Sequence, residues 1–181
     1  LSTAGGEDVF IYGTNFGPQN STNVMSAAYQ NASLTELAGY LYELSSSECE
    51  VLNHTSIRCT SAEGVGHHQQ WQLSVGEQQG PRSLDFTSYG VAIVDSFNDE
   101  AVDQPGLATD GSDTVTITGS NFGPIDSAHG LKSDVAATYT SLATTVTGLA
   151  ATVFQAGTSC TLTVAHTQMV CNSSVGVGVD H

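Results

Sequence analysis

Short runs in which β-branched or aromatic residues alternate with polar ones, bounded by glycine or by Asn, Asp and Ser clusters, recur along the chain. Asp113-Thr-Val-Thr-Ile-Thr-Gly119 alternates with a period of two, and Asp8-Val-Phe-Ile-Tyr-Gly13 is a run of the same kind. Such patterns predict half-buried strands. Trp71-Gln-Leu-Ser-Val75 puts Trp71, Leu73 and Val75 on one face, and Val91-Ala-Ile-Val-Asp95 reads as a further strand. Leu34, Leu37, Leu41 and Leu44 fall three or four apart, a helical spacing, whereas the matching stretch from Leu142 to Phe154 is rich in Thr and Val and suits a strand. Many short strands, closely spaced turn signals and no βαβ rhythm predict an all-β sandwich.

The organisation follows from internal repetition. Gly13-Thr-Asn-Phe-Gly-Pro18 returns as Gly119-Ser-Asn-Phe-Gly-Pro124, Cys49 and Cys59 as Cys160 and Cys171, and Tyr29 as Tyr139. His54-Thr55 returns as His166-Thr167, and Gly64-Val-Gly66 as Gly176-Val-Gly178. These landmarks keep their order at a spacing of roughly 110 residues, so the chain holds two copies of one unit. We place the copies at residues 1–87 and 88–181.

Each cysteine pair encloses about ten residues. CxxC spacing and finger-like histidines are missing, which favours two local disulfides, Cys49 with Cys59 and Cys160 with Cys171, over zinc. Asn20, Asn31, Asn53 and Asn172 each open an Asn-x-Ser/Thr sequon. Asn20 and Asn53 stand in predicted turns, where a side chain is accessible to glycosylation. Paired cysteines, sequons and scarce lysine together imply an extracellular or cell-surface protein.

Charge removes other classes. Against 18 acidic residues the 181-residue chain has three basic ones, Arg58, Arg82 and Lys132, for a net charge of -15. Three scattered cations cannot build a phosphate-binding patch, so nucleic acid and anionic membrane surfaces are not expected partners. No apolar run reaches the length of about 18 residues that spans a bilayer. The opening at Leu1, with neither an initiator Met nor a signal pattern, is expected of a mature or excerpted piece.

The Gly-x-Asn-Phe-Gly-Pro motif after an alternating strand resembles the IPT/TIG domain. So do the cysteine pair closing on Ile57-Arg-Cys59 or Met169-Val-Cys171, and the Gly-Val-Gly turn before Trp71-x-Leu-x-Val. The resemblance covers nearly the whole chain and occurs twice. It implies two tandem immunoglobulin-like sandwiches. Copy two would have its first strand at Ser88–Ser96, copy one would lack that strand, and copy two would stop before its last. In this reading the first motif glycine allows a tight bend, Phe16 or Phe122 plugs the sandwich, and Gly17 or Gly123 takes a conformation closed to other residues. Such domains serve as spacers, adhesion modules and ligand platforms, so fold is implied more firmly than activity.

Catalysis finds little support. There is no Gly-x-Ser-x-Gly elbow, HExxH, Walker loop or GxGxxG, and no Ser, His and Asp spacing orders a triad. His67 and His68 are adjacent, so alternation along a strand would point them to opposite faces, away from a shared metal. His54 and His166 read as turn residues within the cysteine loops. Asp95, Asp99, Glu100 and Asp103 offer hard oxygen ligands for calcium at the entrance to copy two, but a solvated acidic loop is the stronger reading. Tyr40, Tyr42 and Trp71 are expected in the core rather than on a sugar-binding surface.

The expectation is a non-enzymatic structural module without cofactors. Its partners would be neighbouring copies or adjacent repeats of the same protein, together with N-linked glycans. It would belong to a longer array forming a surface filament, stalk or flagellar hair-like appendage. The alternative is a ligand-binding or adhesion segment of a plexin-like receptor ectodomain.

Overall fold

A computed structural model describes residues 1–19, 25–32, 41–99, 107–125, 135–140, 153–155 and 160–176. Every regular element among them is a β-strand, and every strand pairing is antiparallel. The chain divides into two compact units, one from Leu1 to Val91 and a second beginning at Ala92.

The first unit contains β1 (Asp8–Tyr12), β2 (Met25–Asn31), β3 (Leu41–Leu44), β4 (Cys49–Asn53), β5 (Ser56–Thr60), β6 (Gln69–Val75) and β7 (Gln78–Arg82). They form two sheets, ordered β1-β5-β4 and β3-β2-β6-β7. Val51, Ile57 and Cys59 from one sheet share a buried cluster with Ala27, Tyr29, Tyr42, Leu44 and Trp71 from the other. That is the arrangement of a sandwich, in which alternate residues of both sheets meet in one core. In β3 the alternation is visible directly: Tyr42 and Leu44 are buried while Glu43 between them is exposed.

The second unit contains β8 (Ile93–Asp99), β9 (Thr114–Ser120), β10 (Thr138–Thr140), β11 (Val153–Gln155), β12 (Cys160–Val164) and β13 (Gln168–Asn172). Its sheets are ordered β12-β13-β9-β8 and β10-β11. The pairings β1·β5·β4 and β2·β3 reappear as β9·β13·β12 and β10·β11, so the duplication read in the residues is also a duplication of strand pairing.

Of the two readings of the Leu34–Leu44 stretch, its last part follows the strand one, because the Leu41–Leu44 backbone pairs with β2; residues 33–40 lie outside the described residues. Two details differ from expectation. The strand expected from Val91 begins at Ile93 and continues to Asp99, held by pairing with β9. Strand β7, Gln-Gln-Gly-Pro-Arg, carries no apolar alternation. It exists because Gly76 and Glu77 both adopt positive φ, 58° and 66°, closing a two-residue hairpin on β6. Pro81 is tolerated there because β7 pairs on one side only.

Candidate functional site

The repeated residues form clasps at the two ends of one strand pair in each unit, β1 with β5 and β9 with β13. In the first, the Gly13 N–H donates to the Thr55 carbonyl (3.0 Å) and the Phe16 N–H to the His54 carbonyl (3.1 Å). In the second, Gly119 donates to Thr167 (2.9 Å) and Phe122 to His166 (3.0 Å). His54 and His166 therefore recur through their backbone carbonyls. Both motif phenylalanines are buried. A Cβ on Gly13 would come within 2.5 Å of the Phe16 ring; on Gly119 it would meet the Ile93 carbonyl at 1.9 Å and the Phe122 ring at 2.6 Å, so the bare glycine makes room for the plug and, in the second unit, for the neighbouring strand as well. Neither glycine has positive φ. The left-handed positions are Asn15 (66°) and Asn121 (62°), then Gly17 (95°) and Gly123 (91°). Asparagine tolerates that region better than most side chains, which explains its place in the motif.

A second repeated clasp has a sequence signal too short to stand out: Leu1-x-Thr3-x-Gly5 matches Leu107-x-Thr109-x-Gly111. Gly64 N–H donates to the Thr3 carbonyl (2.9 Å) and Gly176 N–H to Thr109 (3.0 Å). Ser61 N–H donates to the Glu7 carbonyl and Ser173 N–H to Asp113, both at 2.8 Å. The Glu7 carboxylate accepts from the Ser2 N–H, and the Asp113 carboxylate from the Ala108 N–H. One carboxylate in each unit, Glu7 and Asp113, thus caps a backbone N–H.

The aromatic residues pack on this second clasp. Tyr29 stacks on Tyr42 with ring centroids 4.7 Å apart, and Tyr139 on Phe154 at 5.1 Å. The Tyr29 hydroxyl accepts from the Ala62 N–H, and the Tyr139 hydroxyl from the Ser174 N–H, both at 2.9 Å. A Cβ on Gly64 or Gly176 would sit 2.3 Å from the Tyr42 hydroxyl or the Phe154 ring. In the first unit Trp71 stacks on the other face of Tyr29 at 4.2 Å, and the Tyr89 hydroxyl donates to the Ala62 carbonyl (2.8 Å) while bonding the Tyr29 hydroxyl (2.8 Å). Burial pushes both the Tyr29 and Tyr89 phenols above the ordinary tyrosine range. Tyr42 and Trp71 are core residues; Tyr40 lies outside the described residues.

Both cysteine pairs are closed, Cys49–Cys59 (S–S 2.07 Å) and Cys160–Cys171 (2.01 Å). Each joins directly opposite residues of neighbouring strands, β4 with β5 and β12 with β13. The bridges staple a hairpin rather than one sheet to another.

The sequons stand in different surroundings. Asn53 is exposed in the β4–β5 turn, where its Oδ1 accepts from both the Thr55 N–H and hydroxyl at 2.9 Å. This Asx turn leaves the amide nitrogen pointed at no acceptor among the described residues. The Asn31 amide nitrogen donates to the His67 carbonyl (2.9 Å). Asn172 is exposed at the end of β13, and Asn20 lies outside the described residues. Of the proposed calcium ligands, Asp95 is exposed on β8, whereas Glu100, Asp103 and the Asp99 side chain lie outside them. No group of three or more His, Cys, Asp or Glu suited to a metal occurs among the described residues.

The histidine pair is placed differently from expectation. His68 has φ of 51°, which breaks strand alternation and brings the two rings to one side. His67 Nδ1 and His68 Nδ1 lie 2.6 Å apart.

Compared with protein-family models, with curated proteins and with solved structures, the chain matches none.

Proposed function

We propose that the chain is a non-enzymatic extracellular structural module, two tandem immunoglobulin-like sandwiches of the IPT/TIG type within a longer glycosylated array. The array would form a surface filament, stalk or flagellar hair-like appendage. One observation carries this reading: the residues that recur are spent on architecture. Glycines clear space for rings, asparagines set left-handed turns, His-Thr pairs lend carbonyls, tyrosines clamp loop amides and cysteines staple hairpins. A duplicated active site would repeat side chains aimed at a shared open space, with matched acid, base or nucleophile. Here the duplicated features repeat backbone geometry, as expected where selection acts on shape and rigidity.

The two disulfides and the Asx-turn sequon at Asn53 support an oxidising, secretory route. The strong negative charge would keep a long polymer soluble and discourage lateral clumping. Electron microscopy of native material with an antibody against this segment tests the proposal. Regular filaments or stalks carrying the label are expected. Labelling confined to a monomeric single-pass receptor would reject it. Intact mass before and after enzymatic glycan removal should show a sugar at Asn53.

A further inference from the structure

We propose that His67 and His68 form a two-nitrogen chelate for a divalent copper ion. The two Nδ1 atoms are hydrogen-bonded 2.6 Å apart at the exposed surface, with ring centroids 4.8 Å apart and ring planes 81° to each other, so both nitrogens lie within reach of one ion. Without a metal, the Nδ1–H of one ring donates a hydrogen bond to the Nδ1 of the other. With a metal, both rings are neutral and turn their lone pairs on the ion.

The arrangement is held from outside the pair. The His68 N–H donates to the Ser88 hydroxyl (3.0 Å), and the His68 carbonyl accepts from the Ala32 N–H (3.0 Å). The His67 carbonyl accepts from the Asn31 side chain (2.9 Å), and the His68 ring meets Phe86 edge-on at 5.6 Å. These contacts fix the backbone of both residues in the conformation that overlaps their nitrogens. The ordering cost of bringing two ligands together is therefore already met by the fold.

Geometry selects the metal. Two nitrogens bound cis on a square-planar ion at about 2.0 Å are about 2.8 Å apart, against about 3.3 Å on a tetrahedral one. The observed separation needs only a slight opening for the first and a much larger one for the second. Imidazole nitrogen and a square plane are the preferences of Cu(II), which also heads the affinity order of the divalent first-row metals. Water would complete the plane.

The test is a titration of the untagged full chain with copper sulfate at neutral pH in a non-chelating buffer, followed by electron paramagnetic resonance and visible absorption. One tetragonal Cu(II) per chain with nitrogen hyperfine structure is expected. His67→Asn and His68→Asn should each weaken binding at least tenfold. Asparagine suits position 68 because it accepts positive φ, and unchanged thermal unfolding would show that both variants still fold. His54→Asn and His166→Asn should leave the spectrum and affinity unchanged. Three results would overturn the proposal: a copper signal unaltered in the His67 and His68 variants, binding only above millimolar copper, or zinc bound as tightly as copper.

Discussion

The two units share a hydrogen-bonded frame but fill it differently. Around Tyr29 the first unit packs Tyr42, Trp71 and Tyr89, and its buried cluster runs on through Leu44, Val51 and Ile57. Around Tyr139 the described residues of the second unit supply Phe154, with a buried cluster of Phe122, Leu162, Met169 and Cys171. Among the described residues, the same clasps therefore close over differently composed clusters. Turn chemistry and backbone bonds determine where the strands go, whereas apolar burial determines how firmly they stay there. The shared frame is what the duplication preserved, and among the described residues the rings beside it differ, Tyr42 in the first unit and Phe154 in the second.

The sharpest way to break this comparison is to empty the first core. Trp71→Ala removes a buried ring stacked on Tyr29 and orphans the Thr87 hydroxyl that accepts from the indole N–H (2.9 Å). A loss of about 3 to 5 kcal/mol is expected. In calorimetry the transition of the first unit should fall steeply while that of the second stays in place. Equal shifts in both would mean that the units do not melt separately.

Next in size are the staples. Cys49→Ser with Cys59→Ser, or Cys160→Ser with Cys171→Ser, reopens a hairpin loop whose closure is worth about 2 to 3 kcal/mol in the chain-entropy model. The two losses should be similar in denaturant titrations, because the loops are nearly the same length and belong to the shared frame. A much larger loss in one unit would show that its bridge also carries core packing.

How much of this was legible in the residues depended on how local the cause was. Strands such as β1, β6 and β9 announce themselves by alternation, since one face of each meets a core. The cysteine partners could be read because each bridge is confined to one hairpin. The role of Gly13 could not, because the ring it accommodates, Phe16, is placed by a hydrogen bond to distant His54. The convergence of His67 and His68 was hidden for the same reason: Ser88 and Asn31 hold the backbone that breaks alternation, and neither is near in sequence. Strand β7 was missed because a turn, not an apolar face, creates it.

A smaller effect probes the frame itself. Gly64→Ala would drive a Cβ into the Tyr42 hydroxyl, and Gly176→Ala into the Phe154 ring, each at 2.3 Å. Overpacking of this kind costs about 2 kcal/mol. The cost should be greater at Gly64, where Tyr42 is fully buried and its hydroxyl is tied to both the N–H and the carbonyl of Val65. Equal costs would indicate that Phe154 is as firmly held as Tyr42.

The subtlest expected change is alkaline. Burial raises the Tyr29 and Tyr89 phenols above the ordinary value of 10.0, so the folded first unit keeps protons that the unfolded chain releases. A raised pKa leaves stability untouched below the unfolded value and removes it as the pH climbs past that value. The first unit should therefore loosen above about pH 10, with absorbance of the ionised phenols appearing together with unfolding rather than before it. Tyr89→Phe tests the link. It deprives the Ala62 carbonyl and the Tyr29 hydroxyl of a partner, at about 1 kcal/mol near neutral pH, while removing one of the two groups that drive alkaline loss. Its stability should accordingly decline less steeply above pH 10 than that of the parent chain. An unchanged slope would show that the Tyr29–Tyr89 pair does not control the alkaline response of this core.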